Sequence, residues 1–222
     1  MRLRLENALQ QRYGDVVERH RTAYDKSAAA DRDTRTKDHW KLDERAAFLD
    51  RLRAADARTL LEVGCGTGQD SLYFQQEGLE VRAVDVSPAM VERTRAKGIE
   101  ASVRDVLDLG FPESTFDAVY SLNTLLHVPN ADLDAALRAI RTVLVPGGLF
   151  FLGVYGGEEE EGVAPEDVHV PPRFFSFRSD KQLLTYAERA FEILDFHIHD
   201  DSAGLRFQSL TLVKPADDNE PR

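Results

Sequence analysis

Leu60-Leu61-Glu62-Val63-Gly64-Cys65-Gly66-Thr67-Gly68, taken with Asp85 further along, is the stretch that decides the fold of this chain. An apolar run ends in glycines at alternate positions, and a carboxylate follows 21 residues after Gly64. Such glycines describe a backbone that turns sharply and carries no side chain where a ligand lies against it. Asp85 closes a second apolar run, Leu79 to Val84. That is the place of an acid at the tip of the next parallel strand, within reach of ribose hydroxyls. The pattern predicts a nucleoside site. The rival reading makes Asp85 an acid that only caps the following helix.

The loop departs from the dinucleotide fingerprint G-x-G-x-x-G, which leads pyrophosphate onto a helix N-terminus. Its third glycine, Gly68, falls one residue early, and Gln69 takes the fingerprint position. Asp70 then stands in the first helical turn, where a carboxylate would repel a bound phosphate. No Gly-Lys-Ser/Thr follows, so a Walker-type phosphate loop is absent as well. The loop suits a nucleoside that lacks phosphates and carries positive charge for acids to meet. S-adenosylmethionine (SAM), with ribose, adenine, sulfonium and an amino-acid end, has that description.

At Leu61 to Gly68 the chain resembles the class I SAM-dependent methyltransferases, whose first motif reads much like LEVGCGTG. The resemblance runs from about Thr59 to Tyr155. Ala101 to Val106 resembles the family's third strand and its following loop. Phe116 to Ser121 resembles the fourth strand, and Leu122-Asn123-Thr124-Leu125-Leu126-His127 its active-site loop. Leu144-Val145-Pro146-Gly147-Gly148 resembles the turn into strand five. Four motifs in order are far more specific than one glycine pattern.

The resemblance implies SAM as cofactor, S-adenosyl-L-homocysteine (SAH) as product and no metal. Glu62 and the loop carbonyls would hold the methionine amine, and Gly64, Cys65, Gly66 and Gly68 would let the backbone close in. Asp85 would hold the ribose hydroxyls, with Val86, Met90 and Leu122 beside the nucleoside. Asp105 and Val106 would fix the polar edge of the adenine. The sulfonium already activates the methyl group, so catalysis is mainly in-line positioning of a nucleophile. A base is needed only if the acceptor must lose a proton early.

Several residues carry two readings. His127 is a candidate general base, or a histidine bonded to nearby backbone. Asp105 could instead cap a turn, and Cys65 reads as a small packed residue. Tyr24 and Trp40 could form a lid or simply pack a helix. Arg173, Phe174, Phe175, Phe177 and Arg178 could line a pocket for an aromatic or acidic acceptor, or serve the core. His197 and His199 share a strand face near Asp201, where a metal is conceivable, but no third ligand is evident and a solvated edge is the plainer reading.

Composition sets the class. With 222 residues and 42% hydrophobic content, the chain has apolar residues for one core. A net charge of -11 argues against nucleic-acid or anionic-membrane partners. One cysteine excludes an intramolecular disulfide and suggests a reducing compartment. Met1-Arg2-Leu3-Arg4-Leu5-Glu6 carries charge where a signal peptide needs an apolar stretch, and no run reaches membrane-spanning length. A cytoplasmic location is expected; no oligomeric state is implied.

Strands and helices alternate, which predicts an α/β doubly wound, Rossmann-like sheet with helices on both faces. A strand is expected over 58–63 and a helix over 70–76. Ser87 and Pro88 open another helix that ends at Lys97-Gly98. Leu133, Leu137, Ile140 and Leu144 recur at helical spacing. The run Glu158 to Glu161 reads as a solvated loop. Ser179-Asp180-Lys181-Gln182 reads as a capping box. Phe191–His199 and Leu205–Val213 look like an antiparallel pair, which puts an antiparallel strand at the C-terminal edge of a mostly parallel sheet. One domain is expected over 1–222: a helical cap over 1–57, the core over 58–214 and a disordered tail over 215–222. The function expected is methyl transfer from SAM to a small molecule. The alternatives are a protein or tRNA methyltransferase, or a SAM-binding regulator without catalysis.

Overall fold

A computed structural model describes residues 12–26, 37–200 and 204–216. The expectations for Asp201 and for most of the tail lie outside them, as do parts of the expected cap. Two N-terminal helices, α1 (Tyr13–Lys26) and α2 (His39–Ala54), precede the core. The core then alternates β1 (Thr59–Val63), α3 (Gln69–Gln76), β2 (Glu80–Asp85), α4 (Pro88–Ala96), β3 (Glu100–Val103) and β4 (Phe116–Leu122). A single 3-10 turn at Leu125–His127 leads to α5 (Asn130–Val143) and the long β5 (Leu144–Gly156). A hairpin-like pair, β6 (Glu160–Val163) and β7 (Phe174–Phe177), is followed by α6 (Asp180–Glu188), β8 (Glu192–Asp200) and β9 (Arg206–Val213).

Seven strands form one sheet in the order β3-β2-β1-β4-β5-β9-β8. The first five are mutually parallel, and β9 pairs antiparallel with both β5 and β8. The doubly wound expectation holds, including the antiparallel C-terminal edge. Strand order reverses between β1 and β4, and in open α/β sheets ligands collect there, outside the carboxyl ends of the strands.

Side-chain alternation shows why both faces are covered. On β5, Phe150, Leu152 and Val154 enter the cluster with Leu133, Leu137 and Ile140 of α5. Leu149 and Phe151 point the other way, toward Phe48 and Leu52 of α2, Phe74 of α3 and Val91 of α4. A two-residue period with both phases apolar is a strand buried on both sides. Ser87 caps α4 as expected, accepting from the Met90 amide with Pro88 at the first helical position.

Two sequence expectations need correction. The glutamate run is not all loop, because Glu160 and Glu161 belong to β6, paired with Phe177 and Ser176 of β7. Glu161 accepts from the Asn130 amide and the Ser176 hydroxyl, so one acid of the run braces the start of α5. The capping box at Ser179 is half made. Ser179 accepts from the Gln182 amide, while the Gln182 side-chain oxygen is buried with no hydrogen-bond partner.

Candidate active site

A cleft of about 580 Å³ lies over the carboxyl ends of β1, β2 and β4, a size suited to a small molecule. Its floor is the glycine loop. The Gly64 and Cys65 amides both bond to the Val84 carbonyl, at 2.8 and 3.0 Å, and tie the loop to the end of β2. Gly64 and Gly66 have φ of 77° and 53°, in the left-handed region that favours glycine. Their surroundings differ. A Cβ on Gly64 would collide with the Thr124 side chain, whereas one on Gly66 would meet nothing within 4 Å and would face the cleft. Gly64 is needed for packing, and Gly66 keeps ligand space open.

Asp85 stands at the end of β2, on the cleft wall. One carboxylate oxygen accepts from the Gly66 amide and the other from the Ser87 amide, each at 2.9 Å. The acid thus joins the two loops and is held in place on the cleft wall. Val86, Met90, Leu122 and Val106 add apolar wall to the same cleft. Cys65 lines it too, but burial pushes its thiol up, and the sulfur lies 3.5 Å from the Thr94 hydroxyl. It is a packed residue, as its size suggested.

Glu62, next to last in β1, is almost fully buried and accepts a hydrogen bond from Ser71. Burial, reinforced by Asp70, pushes its carboxyl up to about 8. A cation placed beside this carboxyl would return it to the charged form. Asp70 itself is buried between Lys37 and Arg45, the latter at 2.9 Å. Its charge is therefore met by two cations, and the sequence argument that Asp70 alone repels phosphate needs that amendment.

Three predicted site residues stand apart from the cleft wall. Asp105 Oδ1 accepts from the Tyr13 hydroxyl and the Leu107 amide, a bond that caps the turn, while Arg104 and Val106 on either side line the cleft. Burial and the bond to Asp105 push the Tyr13 phenol far up, which keeps it a donor. Gly68 opens α3 with φ of 78°, and its Cβ would strike Thr94, so it serves the approach of α3 to α4. Arg178 is 2% exposed and bonds to the Leu125, Ser176 and Val128 carbonyls and to the Asn130 side chain. That arginine braces the loop under the site and does not line the cleft.

Opposite the glycine loop, α1 crosses the cleft mouth. Its Tyr13, Val16, Val17, His20 and Tyr24 recur at helical spacing and all face the cavity. The Tyr24 hydroxyl lies 2.9 Å from His127 Nε2, and Arg173 donates to the same hydroxyl at 3.1 Å. His127 Nδ1 is 2.8 Å from the Phe174 carbonyl, which can only accept. The proton therefore sits on Nδ1, and Nε2 accepts from Tyr24. The backbone-bonded reading of His127 is seen directly, and its other nitrogen meets the Tyr24 hydroxyl on the cleft wall.

Arg173 grips Asp167 with two parallel bonds, 2.7 and 2.9 Å. Burial would raise Asp167, but these bonds hold it well below the usual carboxylate range. The pair is neutral as a unit, which removes the argument for an acidic acceptor. Trp40 is a packing residue, stacked on His199 at 5.0 Å and tilted against Phe207. Sequence reasoning missed His20. It is 4% exposed, lines the cleft and sits 4.3 Å from the His127 ring, with neither nitrogen in a hydrogen bond of good geometry. Burial, with Arg173 and Arg19, pushes it down to about 3, so the ring is neutral. The helical spacing from Tyr13 through His20 to Tyr24 was the signal that could have found it.

Comparison with known proteins gives this geometry a context. Residues 60–148 match the sequence family described as "Methyltransferase domain". A ubiquinone biosynthesis O-methyltransferase from Xanthomonas oryzae pv. oryzae (strain PXO99A) is 40% identical over 109 residues, 46% of this chain and 44% of that protein. The chain thus matches less than half the length of that relative. A cypemycin N-terminal methyltransferase from a Streptomyces species is 34% identical over 77% of this chain and 66% of its own length. Among solved structures, a 1,6-didemethyltoxoflavin-N1-methyltransferase from Burkholderia thailandensis, with its namesake compound and SAH bound, superposes with a TM-score of 0.78. It is 21% identical and covers 96% of this chain and 95% of its own, a likeness of fold. Among the described residues, no helix is long and apolar enough to cross a membrane.

Proposed function

Because the chain belongs to the class I SAM-dependent methyltransferases, we propose that it transfers a methyl group from SAM to a small-molecule acceptor and releases SAH. The observation that carries this reading is a single cleft running from the glycine loop to the polar cluster under α1. A cofactor half and an acceptor half share one cavity, as methyl transfer requires. In the cofactor half, Glu62 takes the methionine ammonium and Asp85 the ribose hydroxyls. Gly66 gives the backbone close approach, and Val86, Met90, Val106 and Leu122 cover the nucleoside.

In the acceptor half, the nucleophile's lone pair forms a bond to the methyl carbon as the carbon–sulfur bond breaks, and the electron pair leaves on sulfur. Positioning supplies most of the acceleration. Tyr24, fixed between His127 and Arg173, and the neutral His20 suit a planar acceptor that offers hydrogen-bonding groups without full charge. Phe175 and Phe177 supply ring surface beside them. An acceptor proton that must leave passes to His127 Nε2 by way of Tyr24.

The similarity to the cypemycin N-terminal methyltransferase favours one second reading, a peptide amine as acceptor. Incubation with SAM and either the low-mass fraction of a cell extract or a set of short peptides separates the two, with SAH formation as readout. SAH formed with the low-mass fraction alone supports the proposal. Tight binding of NAD without binding of SAM would sink it.

A further inference from the structure

Among the described residues, the place where three metal-ligating side chains each bring a ligand atom within 4.8 Å of the others is Glu44, His197 and His199. It lies outside the cleft, on the edge of the sheet. His197 and His199 are two apart on β8 and share the face toward α2, with Ser209 and Phe207 of β9 opposite them in register. Glu44 reaches them from α2 across 153 residues of sequence. We propose that these three residues form a site for a divalent transition-metal ion of the zinc class, which fastens α2 to the edge strand.

The arrangement is more than a chance meeting of polar groups. Both Nε2 atoms point at one carboxylate oxygen, His197 at 2.7 Å and His199 at 2.8 Å. Ligand atoms of a tetrahedral zinc site lie about 3.3 Å apart, so an ion needs each nitrogen–carboxylate contact to open by about half an ångström and the two nitrogens, within 4.8 Å of each other, to settle at that same separation. Imidazole and carboxylate together select zinc and its neighbours over calcium or magnesium.

The supporting contacts are those a metal site uses. His197 Nδ1 lies 2.7 Å from Asp195, which fixes the ring with Nε2 inward. Ser209 donates to the other oxygen of Glu44 and holds that carboxylate in place. Trp40 stacks on the His199 ring. Glu44 is nearly buried, while the His197 and His199 side chains are 43% and 33% exposed, leaving an open side for water as a fourth ligand. Without an ion, His197 must hold a proton on each nitrogen to satisfy two carboxylates. A metal at Nε2 replaces one of those protons and the one on His199.

The test uses the full chain treated with chelator and then titrated with ZnCl2 against a chromophoric competitor, alongside H197N, H199N and the double variant. Both histidines are half-exposed, and circular dichroism with a melting curve checks that the variants fold. One equivalent of zinc should bind, raise the melting temperature and weaken at least tenfold in each single variant. CoCl2 should give the visible absorption of a four-coordinate nitrogen–oxygen site, and the double variant should lose it. The proposal is overturned if no stoichiometric zinc binds, or if the double variant binds it equally well. Either result leaves a proton-bridged Glu44–histidine cluster, with the methyltransferase reading untouched.

Discussion

Replacing Glu62 by Gln should remove one limb of the pH profile of SAM binding while keeping the size of the side chain. Burial and Asp70 push the Glu62 carboxyl up to about 8. At pH 7 about nine-tenths of it is protonated, and the ligand's ammonium needs the carboxylate. Stripping the proton at pH 7 costs about 1.4 kcal/mol, the worth of one pH unit. Affinity should therefore rise roughly tenfold per unit of pH below 8. Above about 8 the ligand's own α-ammonium deprotonates and affinity falls again. Calorimetric titration at pH 7 in buffers of different ionisation enthalpy should report a net release of protons on SAM binding, as the raised carboxyl gives its proton up to meet the ammonium. Stability carries the opposite sign. Between the ordinary 4.5 and about 8 the folded state keeps a proton that the unfolded chain loses, so Glu62 makes the fold less stable as pH rises through that window. Glu62→Gln should lose the rising limb and the proton release, and gain stability relative to the parent from pH 4.5 to 8. A variant that keeps the rising limb would refute the assignment of the ammonium to Glu62.

Asp85→Ala should weaken SAM binding by about 1–3 kcal/mol, the scale for losing a partner of buried polar groups, and unchanged affinity by calorimetry would remove the acid from the site. Gly66→Val should abolish SAM binding with the circular dichroism spectrum intact, because its side chain would enter the cleft from a strained backbone. Gly64→Ala should instead lower the melting temperature through its collision with Thr124. In His127→Ala, turnover should drop by about 10²-fold or more if the ring serves as base, with SAM affinity little changed. Equal losses in both would make it a structural residue only. Arg178→Met should cost roughly 2–4 kcal/mol in denaturant unfolding, since it orphans three carbonyls and the Asn130 oxygen.

The alternation of strands and helices, the glycine loop and the acid at the end of β2 were legible from sequence, because each is set within a short window. Local backbone geometry demands glycine at Gly64 and Gly66, a cap at Ser87, and apolar residues in both phases of β5. The tertiary structure decided what those windows leave open. Asp105, read either for adenine or for a turn, also meets the Tyr13 hydroxyl, 92 residues away, through one carboxylate oxygen. Arg178 looked like an acceptor ligand until the fold closed four acceptors around it. His20 meets His127, and Glu44 meets His197 and His199, only because α1 and α2 pack back over sheet edges built much later in the chain. Sequence determines the conformations that neighbouring residues impose on one another. Which distant polar groups become partners depends on how the helices settle on the sheet, and burial then makes each of those partnerships obligatory.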